Sequence, residues 1–260
     1  MINSLWISKT GMEAQQMQLD VITNNLANVS TNGFKRSTAV FEDLMYQNHR
    51  QVGTNSTEQA QLPTGLQIGL GVRTVATSRS FTQGALHQTN NRLDVAIQGD
   101  GFFQITMPDG STGYTRDGAF QVNSAGTLVT STGLPVANGV TVPPNATNVT
   151  IDGNGTVTAT IPGDPAPQNI GTIALARFVN PAGLTPLGQN LFAESAASGQ
   201  PNAGTPGADG MGSLLQCYVE SSNVNVVQEL VTMIQTQRAY ELNSKGIQTS
   251  DQMLQKLTQI

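Results

Sequence analysis

Asn223-Val224-Asn225-Val226-Val227-Gln228-Glu229-Leu230-Val231-Thr232-Met233-Ile234-Gln235-Thr236-Gln237-Arg238-Ala239-Tyr240 opens a stretch that runs to Ile260 with no proline and one glycine, Gly246. Val226, Met233, Tyr240, Ile247 and Leu254 recur every seven positions, and Leu230, Ile234 and Leu257 widen the stripe. A seven-residue apolar repeat is one face of an amphipathic helix, here of about nine turns at ~3.6 residues per turn. The opposite end of the chain carries the same pattern. Leu5, Met12, Leu19 and Leu26 fall seven apart, with Ile2, Ile22 and Val29 on neighbouring three- and four-residue steps and Trp6 on the first turn as an expected packing anchor. Such stripes are seams for other helices. Two long helices alone cannot bury them, so the reading predicts packing between copies of the chain and fraying of both ends until assembly.

The middle of the chain has a different period. Phe103, Ile105 and Met107 alternate before Asp109-Gly110, and Phe120 and Val122 precede the turn Asn123-Ser124-Ala125-Gly126, which Leu128 and Val129 follow. Val157, Ala159 and Ile161 alternate after Asp152-Gly153-Asn154-Gly155, and further strands are predicted over residues 173–179 and 214–220. Short strands with frequent turns indicate a sandwich or barrel-like domain. Residues 46–71 lack a sustained period and predict extended or irregular structure. Residues 196–212, with two prolines and five glycines, predict a long surface loop. The fold class expected is therefore α+β and multidomain. The two terminal helices pair as a coiled-coil-like assembly domain over 1–34 and 223–260, an extended connector occupies 35–92, and an all-β domain occupies 93–222.

Charge and composition narrow the function. The formal net charge is −5, and charged residues make up 11% of the chain against roughly 25% in ordinary globular proteins. A chain without a basic footprint is not expected to bind nucleic acid or an anionic membrane surface. No uninterrupted apolar run reaches the roughly 18 residues of a membrane span, and residues 1–16 show no ordinary secretory signal. One cysteine, Cys217, excludes an internal disulfide; it sits in an alternating strand pattern, where a thiol is expected to be a small buried apolar group. With only His49 and His87 there is no zinc spacing, and no metal or other cofactor is expected. The segment beginning at Asp152 lacks the glycine and glutamate positions of a calcium loop, Val157 and Gly163 standing there, and reads as a hairpin turn. Glu42-Asp43 is the only adjacent acidic pair and reads as a solvated face, so no catalytic residues are assigned.

Three blocks carry a family resemblance. Asn24-Asn25-Leu26-Ala27-Asn28-Val29-Ser30-Thr31-Asn32-Gly33-Phe34-Lys35 resembles the N-terminal signature of bacterial flagellar rod and hook proteins, with Asn24, Asn25, Asn28, Gly33 and Phe34 as its turn residues. Tyr218-Val219-Glu220-Ser221-Ser222-Asn223-Val224-Asn225-Val226, followed by Glu229-Leu230-Val231 and Gln237-Arg238-Ala239-Tyr240-Glu241, resembles the C-terminal signature. Leu93-Asp94-Val95-Ala96-Ile97-Gln98-Gly99-Asp100-Gly101-Phe102-Phe103 and Tyr114-Thr115-Arg116-Asp117-Gly118 are similar to the start of the family's β-domain.

The resemblance implies a structural axial subunit and no enzyme. Its assembly seam would be Leu5, Met12, Leu19, Leu26, Val226, Leu230, Met233, Tyr240, Ile247 and Leu254. Its partners would be further copies of itself, the proximal rod and hook proteins, the surrounding P-ring and L-ring, and the type III export apparatus, without insertion into the membrane. It also implies export without a cleaved signal and a place in the basal-body rod across periplasm and outer membrane. The chain's length, its single modest β-domain, Phe41-Glu42-Asp43-Leu44 and residues 62–69 are most like the members that build a straight, stiff tube. Proximal rod or hook subunits are the alternatives inside the family. A secreted β-rich binding module would leave the two helical stripes unused, and a periplasmic enzyme would need a pocket with convergent polar groups, neither of which the sequence shows.

Overall fold

The computed structural model describes residues 2–50, 55–57, 60–61, 64–163 and 166–258. Leu62 and Pro63 of the 62–69 motif lie outside the described residues, as do the side chains of Ile2 and Leu257. The class is α+β: two long helices, α1 (Ile2–Ala27) and α2 (Val226–Thr258), enclose a run of short strands in the sequence. Contacts divide the chain into two compact units. One holds Met1–Leu26, Ser37–Ser78 and Asn225–Ile260, and the other holds Ala27–Arg36 and Arg79–Val224. No helix among the described residues is long and apolar enough to cross a membrane.

In the helical unit, α2 begins where Asn225 caps it. Its side-chain oxygen accepts from Gln228 N at 3.2 Å and its carbonyl from Glu229 N at 3.0 Å, and Glu229 in the first turn and Lys256 in the last complement the helix dipole. The strand Ser37–Asp43 pairs with Val72–Arg79, and Tyr46–Arg50 pairs antiparallel with Leu66–Gly69. Among the described residues of 46–71, Tyr46–Arg50 and Leu66–Gly69 are thus extended, and the side chains of Tyr46, Leu66 and the preceding Met45 are exposed. Gly71 takes φ +112° beside Thr10, where any side chain would collide with α1.

The β unit is built on a six-stranded antiparallel sheet in the order Thr185–Gly188, Leu191–Ala193, Thr112–Thr115, Phe102–Thr106, Leu175–Arg177, Asn202–Gly204. Alternation along Phe102–Thr106 sends Phe103 and Ile105 into the main core with Val95, Phe120, Leu128 and Leu175. Phe102 joins a separate aromatic cluster with Tyr114, Phe178 and Phe192, their rings meeting edge to face. The hairpins predicted at Asp109-Gly110, at 123–126 and at 152–155 all form.

Two expectations are corrected in this unit. Residues 196–212 are not loop throughout, because Asn202–Gly204 supplies the sheet's edge strand. The strand over 214–220 is broken at Cys217, which is half-buried at φ +63°. Ser213–Gln216 pairs with Val95–Gln98 and Tyr218–Glu220 pairs with Leu86–Gln88, so the backbone changes partner at Cys217 and must bend there.

Candidate functional site

No group of three or more His, Cys, Asp or Glu side chains among the described residues is placed to hold a metal. A cleft of about 510 Å³ between Arg92, Leu93, Val122, Pro143, Pro144 and Val149 contains one ionisable side chain, Arg92, which donates to Asn148 Oδ1 at 2.7 Å. General acid–base chemistry needs a second group there. The polar groups that do converge sit instead at the three signature blocks.

In the β unit Glu220, at the end of the strand Tyr218–Glu220, has a fully buried carboxylate. Its Oε1 accepts from Lys35 Nζ at 2.6 Å and from Gly84 N at 2.9 Å, and its Oε2 from Arg116 Nη1 at 3.3 Å. Lys35 Nζ also donates to the Thr82 carbonyl at 2.8 Å, and Arg116 Nη2 to the Gly99 carbonyl at 2.8 Å, with its guanidinium 5.4 Å from the centre of the Phe102 ring. Burial pushes the Lys35 ammonium and the Arg116 guanidinium below their ordinary ranges, and the Glu220 carboxylate opposes that shift in both. Two cations thus share one carboxylate in a site closed to water. The backbone adds a further tie: Gly33 N donates to the Glu220 carbonyl at 2.8 Å.

The turn that delivers Lys35 has a definite local cause. After α1 ends, Asn28 accepts from Thr31 through both its carbonyl and its side chain, each at 3.2 Å. Gly33 then takes φ +67°, and a side chain there would stand 2.7 Å from Asp117 N. Phe34 is half-buried. Asn223 closes the same region: its Oδ1 accepts from Arg36 N at 2.7 Å, and its Nδ2 donates to the carbonyls of Ser80 and Thr82 at 2.9 and 3.1 Å.

In the helical unit Asn25 makes the corresponding clasp. It is almost fully buried, exchanges two hydrogen bonds with the Ser37 backbone at 2.8 and 3.0 Å, and donates to Glu229 Oε2 at 3.3 Å. Asn24 is exposed in the same last turn of α1. The two helices contact each other within the unit. Besides Asn25 with Glu229, Gly246 faces Ser8 and Gly11 faces Asn243. These pairs run antiparallel, one index rising as the other falls.

The apolar stripes are only partly covered. Leu5, Met12, Leu19, Leu26, Met233, Ile247 and Leu254 are half-buried, whereas Val226, Leu230 and Tyr240 are 39%, 41% and 39% exposed. Trp6, expected as an anchor, is 53% exposed with Lys9 Nζ 5.2 Å from its ring centre. The fully covered α2 positions are instead Glu229, Thr236 and Ser250.

Sequence reasoning quoted Lys35, Arg116 and Glu220 within the signature blocks but gave them no role. One signal was available: Arg116 and Arg177 are the only cations between Leu93 and Glu220, and Arg116 stands beside a strand.

Comparison with known proteins follows the same blocks. Residues 6–35 match the family described as "Flagella basal body rod protein", residues 96–159 "Flagellar hook protein FlgE/F/G D1 domain", and residues 215–260 "Flagellar basal body rod FlgEFG protein C-terminal". The chain is 59% identical over 260 residues to the flagellar basal-body rod protein FlgG of Buchnera aphidicola subsp. Schizaphis graminum, covering all of both chains. It is 50% identical over 256 residues to the FlgG of Borreliella burgdorferi, covering 98% of this chain and 97% of that one. Against the FlgG of Bacillus subtilis it is 38% identical over 267 residues, covering 100% and 99%. The three signature blocks that converge on Glu220 and Asn25, and the likeness running from end to end, establish that the chain belongs to the flagellar basal-body rod family of the FlgG proteins.

Proposed function

We propose that the chain is a structural subunit of the distal rod and not an enzyme. Many copies stack helically into the stiff shaft that carries motor torque across the periplasm and outer membrane to the hook. The observation that carries this reading is an apolar seven-residue stripe on each helix that stays half-buried on α1 and is exposed at Val226, Leu230 and Tyr240 on α2. A stripe left open on a chain of this family is a seam for another copy.

In this reading residues 1–34 and 223–260 form a coiled-coil-like inner tube, 35–92 braces neighbours, and 93–222 faces outward. Leu5, Met12, Leu19, Leu26, Val226, Leu230, Met233, Tyr240, Ile247 and Leu254 line the seams. Its neighbours are the proximal rod below, the hook above and the P-ring and L-ring around it, and the chain reaches its place through the type III export apparatus without a cleaved signal. Likeness to FlgG proteins over the whole length favours this over the proximal rod or hook subunit. Deleting the gene and viewing basal bodies by electron microscopy tests the assignment. A truncated shaft is expected, and basal bodies with full-length shafts would overturn it.

A further inference from the structure

The chain carries three Asn-Gly steps, Asn32-Gly33, Asn138-Gly139 and Asn154-Gly155, all of them in the β unit. Such a step has a chemistry of its own. The glycine amide nitrogen can attack the carbonyl carbon of the asparagine side chain, and glycine alone leaves that nitrogen with no Cβ beside it. The fold treats the three steps differently.

Two of them are closed. Gly33 is buried, its N donates to the Glu220 carbonyl at 2.8 Å, and the Asn32 carbonyl accepts from Asn190 Nδ2 at 3.1 Å. Gly155 is buried too; its N donates to the Asp152 carbonyl at 2.9 Å, and the Asn154 side-chain oxygen accepts from Thr156 N at 3.1 Å. A side chain on Gly155 would collide with the Ile173 carbonyl, so that turn is packed from outside as well.

Asn138-Gly139 is open. Both residues are exposed, and a Cβ on Gly139 would meet nothing within 4 Å beyond its neighbours in the chain. Among the described residues the Asn138 side chain makes no hydrogen bond, and Gly139 N makes none to another segment. Asn138 at φ +70° and Gly139 at φ +57° are the two left-handed residues at the tip of a tight turn. Its flanks are held: Ala137 N donates to the Gln104 carbonyl at 2.8 Å, the Val140 carbonyl accepts from Leu128 N at 3.0 Å, and Val136 and Val140 are buried. The tip can therefore open and rotate while the core beneath it stays intact, a local opening of low cost.

We propose that Asn138 is a site of self-modification, deamidating through a cyclic imide. Gly139 N bonds to Asn138 Cγ, its proton passes to a solvent base, the Cγ–Nδ2 bond breaks and ammonia leaves. Water then opens the imide at either carbonyl and yields aspartate or isoaspartate. Each event adds one negative charge to the β unit, and the isoaspartyl product also lengthens the backbone by one carbon between two anchored residues. The enzyme class that recognises this product is an isoaspartyl methyltransferase, which esterifies its free α-carboxylate with the methyl group of S-adenosylmethionine.

Ageing of the full chain at mildly alkaline pH, read by peptide mass spectrometry and by enzymatic methyl transfer to isoaspartate, tests the proposal. The peptide holding Asn138 should gain one mass unit and accept methyl at least tenfold faster than those holding Asn32 and Asn154. In urea, where the fold no longer shields the other two, the three rates should converge. Gly139→Ala, whose added methyl meets open space, should slow the reaction at Asn138 at least tenfold in the folded chain. Equal rates at the three steps of the folded chain, an Asn138 that reacts only in urea, or a preference for Asn138 of the same size in urea would overturn the proposal.

Discussion

Lys35 and Glu220, 185 positions apart in sequence, form a fully buried ion pair at 2.6 Å, and Arg116 approaches the second oxygen of the same carboxylate. Glu220→Gln leaves two buried cations facing a neutral amide. Loss of one partner of a buried pair costs about 3–5 kcal/mol. Urea unfolding of the full chain followed by circular dichroism should show a loss of that size in the transition of the β unit, and a loss under about 1 kcal/mol would mean that water reaches the site.

Gly33 and Gly110 separate conformational strain from crowding. Both have positive φ, +67° and +83°, but a side chain at Gly33 meets the Asp117 backbone at 2.7 Å and one at Gly110 meets nothing within 4 Å. Gly110→Ala should therefore cost about 1 kcal/mol, the left-handed penalty alone. Gly33→Ala should cost more than Gly110→Ala, at the upper end of ~1–3 kcal/mol. Equal losses in thermal melts of the two variants would show that residues 28–36 yield without resistance.

Leu19 is half-buried and Tyr240 is 39% exposed, so a charge at either is tolerable in the lone chain. Leu19→Asp or Tyr240→Asp should leave the circular dichroism spectrum of the dilute chain within error of the parent and abolish tube formation, because in a packed seam the carboxylate has no partner. Normal motility of cells carrying either substitution would count against the seam.

Asp117 supplies a pH test. Burial pushes its carboxyl above the ordinary value of 3.8, against a hydrogen bond from Ala119 N. Between 3.8 and the raised value the folded chain holds more protons than the unfolded one, so this group's contribution to stability falls as pH rises through that window. Asp117→Asn should consequently be more stable than the parent at neutral pH, with the difference shrinking as pH falls toward 4. A difference that does not change with pH would show the carboxylate to be solvated.

The helices and hairpins were legible because each is written locally. Leu5 to Leu26 and Val226 to Leu254 carry a helical period, and Asp109-Gly110 and residues 152–155 carry turn chemistry between alternating apolar residues. The Glu220 cluster was not legible, since its members come from positions 35, 116 and 220 and nothing local relates them. Cys217 misled for the opposite reason: an unbroken alternating pattern says nothing about a strand that changes partner midway. The contact between the helices was hidden by its composition. Glu229 and Asn243 meet α1, but polar residues on a helix ordinarily mark its solvated face, and only that contact distinguishes the two.

The distance along the chain between Lys35 and Glu220 also orders events in time. Polypeptides emerge amino end first, and while the growing chain stops short of residue 220 the ammonium of Lys35 lacks the carboxylate that draws it out of water. That corner of the molecule stays open until nearly the whole polypeptide has been made, so completion of synthesis acts as its own checkpoint against early closure.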